Sequence, residues 1–288
     1  MIDIIGSIVS VLIAGLVAWA GSQGGPTYNG IPALMLIVGT GFLIHWVVLI
    51  PSILAKTEKF YDITGTIAYL AMIGLALFFA AEKSGDLSFR SKIVATMVVI
   101  WALRLGLFLL LRVFQVGEDK RFRNAKESFF KFLMFFSISG LWVFLTTANV
   151  LTMILNNADL FGDAYFFSGL ILWILGFSFE LIADEQKRQF RKNPVNKRKF
   201  ITSGLWSVSR HPNYFGEILI WIGMAIISFP ALNGWQYTTL ISPIFVTLLL
   251  TRVSGVNLLE KSADKKWGNL ETYQGYKSKT ALLIPFTK

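Results

Sequence analysis

Residues 209–217 have the sequence SRHPNYFGE and stand directly before the apolar run ILIWIGMAIISF, which occupies residues 218–229. The apolar run is typical of a helix that enters a lipid bilayer. The polar stretch carries arginine, histidine, asparagine and glutamate side chains into the first turns of that helix. Lipid does not tolerate such groups without a partner. The partner is therefore another part of the chain or a bound molecule.

The composition of the whole chain is that of a membrane protein. Its 288 residues are 54% hydrophobic and only 15% charged, with a mean hydropathy of +0.59. Apolar runs of roughly 18 or more residues span the hydrocarbon core as helices. Eight such runs lie at about residues 2–20, 31–54, 63–81, 93–115, 129–155, 160–183, 214–230 and 237–258. We predict an all-α fold, a multi-pass transmembrane helical bundle of about seven to eight spans, forming a single integral membrane domain over residues 1–288.

The basic residues fall on one side of the predicted bundle. If all eight runs cross, 21 of the 27 lysines and arginines share the side that holds both termini. The opposite side has only Lys83, Arg90 and Lys92. The positive-inside rule then makes both termini cytoplasmic, with residues 184–213 as a cytosolic loop and residues 259–288 as a cytosolic C-terminal segment. Because topology explains the net charge of +10, no nucleic-acid partner is expected.

The chain has no cysteine and only two histidines, His45 and His211, at unrelated positions. Disulfides, thiolate nucleophiles and cysteine metal sites are therefore excluded, and no metal centre is expected. His45 is a lone imidazole within an apolar run. We expect it to be hydrogen-bonded inside the bundle rather than functional.

Several ionisable side chains lie at membrane depth, where each costs roughly 2.5–3.5 kcal/mol. Arg104 lies well inside its span and meets either a carboxylate on a neighbouring helix or an anionic or carbonyl-bearing ligand. Arg252 lies inside the last span, and Glu260 follows about two helical turns later. Asp62 opens the third span, and Tyr69 shares its face two turns on. Asp62 is either a helix N-cap or an acid that acts on a substrate in the membrane.

The end of the sixth span, FELIADEQKRQFRKN, is polar at regular intervals. Glu180 and Asp184 are one helical turn apart on one face, and Arg188 and Arg191 continue near that face. If the helix runs on past the membrane, its acidic part lies at the interface and its basic part in the cytosol. One interpretation is a salt-bridged helix end in which Asp184 pairs with Arg188. The other is a ligand-binding face.

The stretch that opens the seventh span is more specific. Pro212 fits the first turn of a helix, where its missing N–H costs nothing. Arg210 and His211 therefore flank a helix N-terminus, which favours an anion. Asn213 and Glu217 are four residues apart and point the same way from that entry. One possibility is that Glu217 pairs with an arginine of another span. The other is that Glu217, together with Arg210, His211 and Asn213, binds a ligand that offers phosphate oxygens and hydrogen-bond donors.

These motifs together resemble a superfamily of membrane enzymes. The stretches YDITGT, WALRLGLFLLLR, FELIADEQKRQFR and GLWSVSRHPNYFGE, with RVSG, LEK and two tyrosines near the C-terminus, are similar to the steroid 5-alpha-reductase superfamily. Within it, the pattern is most similar to bacterial membrane proteins formerly classed as a domain of unknown function. RHPNYFGE also resembles the RHxNYxGD signature of sterol C14 reductases. The similarity runs from about residue 35 to the end and implies NADPH-dependent reduction of a carbon–carbon double bond in a lipid.

The resemblance implies a cytosol-facing NADPH site, a lipid or steroid-like enone as substrate, and a place in a bacterial inner membrane or an ER-type membrane. Together with the charge and helix-terminus arguments above, it predicts the cofactor-binding residues Arg104, Phe108, Glu180, Asp184, Arg188, Arg191, Arg210, His211, Asn213, Tyr214, Glu217, Arg252, Glu260 and Tyr276. A 2′-phosphate would be held by cations of the 184–213 loop, namely Arg188, Arg191, Lys197 and Arg198.

The catalytic assignment departs from the family pattern. Trp101 occupies the position at which steroid-type members carry a tyrosine near the substrate carbonyl. The partner acid of that tyrosine has no clear match, so Asp62, followed by Tyr69, is assigned as catalytic by location alone. A scaffold that binds NADPH with little turnover is therefore one alternative.

Two further alternatives stay open. Relatives of isoprenylcysteine carboxyl methyltransferase carry a similar RHPxYxG block and bind S-adenosylmethionine. They tend to have paired glutamates after the last-span arginine, whereas Glu260 here is followed by Lys261. The basic loop also suits a phosphate-bearing cofactor better than a cationic sulfonium. A non-enzymatic lipid-binding or transport bundle is the second alternative, because it too would explain charges within the membrane.

Overall fold

The computed structural model describes residues 2–116, 122–160 and 162–287, with only the backbone of residues 114–116. The chain is built of helices joined by short loops. They are α1 (Ile2–Gly21), α2 (Ala33–Leu54), α3 (Tyr61–Ser84), α4 (Phe89–Val116), α5 (Phe129–Asn156), α6 (Ala164–Lys192), α7 (Pro212–Ser228), α8 (Ile241–Leu248), α9 (Val256–Trp267) and α10 (Glu271–Lys279). Two short antiparallel strands, β1 (Thr27–Tyr28) and β2 (Ile31–Pro32), form a hairpin before α2. The predicted all-α fold is confirmed.

Eight helical stretches of the described residues are long and apolar enough to cross a membrane. They correspond to the eight predicted apolar runs, and the architecture is that of an integral multi-pass protein. Helix α6 continues to Lys192, well past its apolar part. The predicted extension of this helix beyond the membrane-spanning run is therefore present.

The predicted last span, residues 237–258, is not one continuous α-helix. Helix α8 is followed by a π-helical turn, Leu249–Val253, which contains Arg252. The chain then breaks before α9 starts. Gly255 lies in this break, and a Cβ there would stand 2.9 Å from the ring of Tyr214. The π-turn is a local departure from helix geometry of the kind often found at functional sites.

The chain divides into two compact units. The first comprises Met1–Phe166 and Ser228–Ser242, and the second comprises Phe167–Ile227 and Pro243–Lys288. The sequence has no composition break at these positions. The single membrane domain predicted from composition stays a prediction.

In the first unit, α5 is the central helix and packs against α1, α2 and α3. Its sequence is apolar all round, as a helix enclosed by others requires. His45 on α2 is buried against it, with Nε2 3.0 Å from Ser139 Oγ and Nδ1 2.7 Å from the Gly41 carbonyl oxygen. The prediction that His45 is hydrogen-bonded within the bundle is confirmed.

One end of the first unit is held by a buried charge. Arg90, in the first turn of α4, is 1% exposed, and its Nη2 lies 2.7 Å from Asp163 Oδ1. Its guanidinium also lies 5.7 Å from the centre of the Phe166 ring. The neighbouring Asn157 accepts a hydrogen bond from the backbone N–H of Ser88 at 2.8 Å. The charge on Arg90 is thus neutralised locally and its side chain is fixed.

In the second unit, α6 and α7 pack at short range through glycines. Gly169 and Gly176 on α6 face Gly223 and Gly216 on α7. A Cβ at Gly176 would lie 2.5 Å from the Gly216 carbonyl oxygen, and a Cβ at Gly169 would lie 2.5 Å from that of Gly223. Only glycine permits the two backbones to approach so closely. The approach brings the polar end of α6 beside the start of α7.

The C-terminal segment of the second unit folds back onto residues 209–217. Ser209 and Ala281 form a parallel bridge, in which Arg210 N donates to the Ala281 carbonyl oxygen at 2.9 Å. Ser209 Oγ donates to the Leu283 carbonyl oxygen at 2.7 Å. Tertiary contacts, and not only the helix that follows, therefore fix the backbone before α7.

Candidate functional site

The first polar contact joins α6 to α7. Helix α7 begins at Pro212, as predicted, so the next residue lies in its first turn. There Asn213 Nδ2 donates to Asp184 Oδ1 on α6 at 3.2 Å. Asp184 is buried, and so are Glu180 and Glu217. The structure thus brings together two predicted cofactor residues that are distant in the sequence.

A second cluster is centred on the carboxylate of Glu260. Its Oε2 lies 3.1 Å from Arg210 Nη2 and 3.7 Å from Lys277 Nζ, and its Oε1 lies 2.9 Å from His211 Nε2. Arg210 Nη1 also donates to the Lys277 carbonyl oxygen at 2.9 Å. Three basic side chains thus contact one carboxylate, and Lys277 is also bound by Asp264 at 2.6 Å. Lys277 belongs to the C-terminal segment and was not among the predicted site residues.

His211 is held as a neutral imidazole. It is 5% exposed, and its ring stacks on that of Tyr214 with centroids 5.7 Å apart. Burial lowers the pKa of His211, the hydrogen bond to Glu260 opposes this, and the nearby cations Lys187 and Arg210 lower it further. An ionised carboxylate only accepts, so Nε2–H donates to Glu260 and Nδ1 is left as an acceptor.

Two buried polar atoms of this cluster suit a ligand. Among the described residues, none supplies a hydrogen-bond partner for His211 Nδ1 or Arg210 Nε. One is an acceptor and the other a charged donor, and leaving either unsatisfied costs free energy. A ligand with an anionic oxygen and a hydroxyl or amide donor would satisfy both. NADPH carries these groups, so the residues present fit it.

Tyr276 has a structural bond of its own. Its hydroxyl donates to the Trp206 carbonyl oxygen at 2.6 Å, and burial raises its pKa to about 12. The proton of this hydroxyl is therefore already used within the protein. The prediction that Tyr276 binds the cofactor stays a prediction, and it would act through the ring or the remaining lone pair.

The basic end of α6 differs from one predicted arrangement. Arg188 forms two hydrogen bonds with Glu185, at 2.6 and 2.5 Å, one residue beyond the predicted partner Asp184. The pairing of Asp184 with Arg188 was thus wrong about the partner, because residues three apart also lie on one face of a helix. Arg191 and Arg252 are both exposed. Their assignment to a cofactor stays a prediction.

In the first unit, Arg104 and Phe108 lie together on α4, with the guanidinium 5.6 Å from the ring centre. Their assignment to the cofactor stays a prediction. Asp62 lies in the first turn of α3 and its Oδ2 is 3.7 Å from Arg112 Nη2. The N-cap residue of α3 is Phe60, so the N-cap interpretation of Asp62 is wrong.

Tyr69 lies next to the tryptophan that stands at the family's tyrosine position. Its ring packs edge-on against Trp101, with centroids 5.3 Å apart, and both residues are buried. The two residues are on different helices, α3 and α4. A tyrosine is therefore present beside Trp101, although it comes from another part of the chain.

Sequence reasoning missed Lys187 and Lys277. Lys187 Nζ lies 4.2 Å from the centre of the Trp206 ring, and Lys277 Nζ lies 2.6 Å from Asp264 Oδ1. Both lie in segments already singled out for their charge. No spacing rule connects them to residues 209–217, because the contacts form between separate elements. Of the described residues, no group of three or more histidines and carboxylates could hold a metal ion.

The fold and site define a multi-pass helical membrane protein in which arginine, histidine and lysine side chains gather around the Glu260 carboxylate at the start of one span. Residues 46–280 match the family described as "Protein of unknown function (DUF1295)". The chain belongs to that family, which is part of the steroid 5-alpha-reductase superfamily. The resemblance that the motifs indicated is confirmed.

Curated relatives include two kinds of enzyme. The chain is 27% identical over 128 residues to "3-oxo-5-alpha-steroid 4-dehydrogenase 1" of Bos taurus, covering 44% of each chain. The protein of the same name from Rattus norvegicus is 28% identical over 122 residues, covering 42% of this chain and 41% of that one. "Probable O-methyltransferase ustE" of Ustilaginoidea virens is 30% identical over 95 residues, covering 33% and 34%. The chain thus spans less than half the length of the curated relatives it matches.

Proposed function

We propose that this protein is a membrane-embedded, NADPH-dependent reductase of a conjugated carbon–carbon double bond in a lipidic or steroid-like enone. The observation that carries the proposal is the Glu260 cluster, in which buried His211 Nδ1 and Arg210 Nε point to a ligand with both anionic and donor groups. The superfamily and the relatives named as steroid dehydrogenases support the same reaction class. The positive-inside rule supports a cytoplasmic opening for this cluster and cytoplasmic termini.

The cofactor assignment is argued from the residues around the start of α7. Arg210 would bind a phosphate oxygen, and His211 Nδ1 would accept from a hydroxyl or an amide. Asn213, oriented by Asp184, has its amide oxygen left to accept a further bond. Glu260 keeps the imidazole in the required tautomer. NADPH, when bound, supplies the hydride that reduction of an enone needs.

The residues predicted to be catalytic lie on α3. A conjugated enone accepts hydride at its β-carbon, and the negative charge that develops on its carbonyl oxygen needs a hydrogen-bond donor. Tyr69, buried beside Trp101, offers a phenol as that donor. Asp62, beside Arg112, is the second candidate. A proton delivered to the α-carbon completes the reduction.

The cofactor is tested by thermal stability of the detergent-purified protein with NADPH, NADH and S-adenosylmethionine titrated separately. A ligand at about 100 times its dissociation constant stabilises the native state by about 2.7 kcal/mol. We expect NADPH to raise the melting temperature. A shift with S-adenosylmethionine alone would replace the reductase by the methyltransferase suggested by the Ustilaginoidea virens relative. No shift with any of them, together with lipid flux across vesicles, would support a transporter.

The cofactor residues are tested by single substitutions. Asn213→Ala and Glu217→Ala should each weaken NADPH binding about tenfold, the loss expected for a hydrogen bond to a polar ligand. The control is Thr96→Ala, an exposed polar position on α4. Unchanged NADPH affinity in both variants, with the control also unchanged, would contradict the assignment.

The catalytic residues are tested by turnover at saturating NADPH. Tyr69→Phe removes one hydroxyl and should abolish most enone-dependent NADPH oxidation while NADPH affinity is kept. Asp62→Asn tests the second candidate in the same assay. Tyr28→Phe, at an exposed tyrosine of the β-hairpin, is the matched control. If Tyr69→Phe and Asp62→Asn both turn over normally, the catalytic assignments are wrong.

A further inference from the structure

A cleft of about 370 Å³ opens at the end of α9, within the second unit. Its lining includes Arg198, Lys265, Lys266, Trp267 and Asn269. Three of these side chains are cations, one is an indole and one is an amide. Apart from Arg198, none of them was among the residues expected to bind a ligand.

The charges of α9 are sorted to different sides of the helix. Its carboxylates, Glu260 and Asp264, are one turn apart, and both are used internally: Glu260 by Arg210 and His211, and Asp264 by Lys277 at 2.6 Å. Its lysines near the C-terminal end line the cleft instead. This separation leaves the cleft with positive charge that the helix itself does not neutralise.

The cations of the cleft have no carboxylate close by. Across residues 2–116, 122–160 and 162–287, none of the carboxylates lies within 4.0 Å of a side-chain nitrogen of Arg198, Lys265 or Lys266. Lys266 Nζ lies 4.4 Å from the centre of the Trp267 ring. Like charges that line one cleft repel one another, and a doubly charged anion would relieve that repulsion.

The indole beside these cations is held in place. Trp267 Nε1 donates to the Arg198 carbonyl oxygen at 2.9 Å, and its ring packs 5.6 Å from that of Phe200. A fixed aromatic face next to a group of cations suits a ligand that joins a planar base to a phosphate. Aromatic side chains stack on bases, and Arg and Lys bind phosphomonoesters.

We propose that this cleft binds the adenosine 2′-phosphate end of NADPH, with Arg198, Lys265 and Lys266 on the phosphate and Trp267 against the adenine. The inference rests on the proposed function and adds the residues that distinguish NADPH from NADH. Lys265 and Lys266 follow Glu260 by about 7.5–9 Å of rise along the helix axis, a distance that a dinucleotide spans. Arg188 was expected to bind the 2′-phosphate, but its guanidinium is held by Glu185. The lysines of α9 are therefore more available to the phosphate than Arg188 is.

The test compares NADPH with NADH on the purified full-length protein by calorimetric titration. The double substitution Lys265→Ala and Lys266→Ala should weaken NADPH binding about 30-fold or more and leave NADH binding within about twofold, because only NADPH carries the 2′-phosphate. The matched control is Lys261→Ala with Lys279→Ala, two exposed lysines of the same segment that do not line the cleft. The control should bind both dinucleotides as the unmodified protein does.

Smaller probes separate the possible sources of the phosphate. 2′-AMP should protect the protein from thermal unfolding better than 5′-AMP, and the double variant should lose this difference. Equal weakening of NADPH and NADH, or unchanged NADPH affinity, would overturn the assignment while the reductase stands. Lost binding to phosphatidic acid vesicles with unchanged NADPH affinity would instead identify a lipid headgroup site and also overturn it. If the unmodified protein binds neither dinucleotide, the proposed function fails together with this inference.

Discussion

Arg90 in the first unit and Glu260 in the second are both charged groups withdrawn from solvent, but their surroundings differ. Arg90 has a carboxylate partner, Asp163, at 2.7 Å and an aromatic ring against its guanidinium. Glu260 is a single carboxylate shared by Arg210, His211 and, at a longer distance, Lys277. In the first arrangement one cation meets one carboxylate. In the second, Arg210 meets Glu260, Lys277 is also bound by Asp264, and the neutral His211 ring keeps Nδ1 as an acceptor with no partner among the described residues.

This difference separates a structural charge from a binding site. A balanced buried pair fixes the ends of helices and offers nothing to a ligand. A cluster that leaves His211 Nδ1 as a buried acceptor and Arg210 Nε as a buried charged donor without partners among the described residues gains from binding a ligand that satisfies both. Substitutions in the first arrangement should therefore change stability, and substitutions in the second should change ligand binding more than stability.

The largest effect on stability and NADPH binding is expected from the glycines between α6 and α7, which position the Glu260 cluster. Gly176→Leu places a side chain where even a Cβ would lie 2.5 Å from the Gly216 carbonyl oxygen, so α6 and α7 must separate. We expect loss of NADPH binding and a fall in the melting temperature of ten degrees or more. The matched control is Gly39→Leu on α2, where a Cβ meets nothing within 4 Å. A variant at Gly176 as stable as the control would show that close packing does not build the site.

A smaller effect is expected at the balanced pair. Arg90→Met removes one partner and leaves Asp163 without its cation, at a cost of about 3 kcal/mol. Adding Asp163→Asn should recover part of this loss, because no charge is then left unpaired. Thermal unfolding in detergent measures both, and NADPH titration should give unchanged affinity once the protein is folded. Lost affinity in a folded Arg90→Met protein would erase the distinction between the two regions.

The smallest effect is expected from pH. Burial holds the pKa of His211 below its ordinary value of 6.5, so the folded protein binds fewer protons than the unfolded chain in the window just below that value. Stability should therefore fall as pH drops from 6.5 toward the folded-state pKa, and this group should contribute no pH dependence above 6.5.

A variant without the titratable ring isolates the contribution of His211 to the pH dependence of stability. His211→Gln cannot take up a proton, so its melting temperature should vary less than that of the unmodified protein between pH 7 and pH 5. Differential scanning calorimetry over that range measures the difference. Identical pH profiles would mean that His211 is not buried as a neutral ring, and the acceptor role of Nδ1 would be lost with it.

Patterns local in the chain were predicted correctly. The eight apolar runs, the start of α7 at Pro212, the continuation of α6 to Lys192 and the internal bonding of His45 all follow from helix periodicity, proline geometry and the cost of polar groups in lipid. Predictions that depended on a choice of partner were less successful. Arg188 pairs with Glu185, since neighbouring residues of a helix compete for the same contact. Asp62 is not an N-cap, because α3 begins at Tyr61 and Asp62 lies inside its first turn.

The sequence by itself determined that this is a helical membrane protein, and its motifs indicated the family and a set of residues predicted to bind the cofactor. Only the tertiary structure decided which of them meet: Asn213 with Asp184, and Glu260 with Arg210 and His211. It also introduced Lys277 and the cleft at the end of α9. The physical reason is one of range. Hydropathy and helix signals act over a few turns of chain, whereas a site is made by contacts between elements whose separation no local pattern encodes.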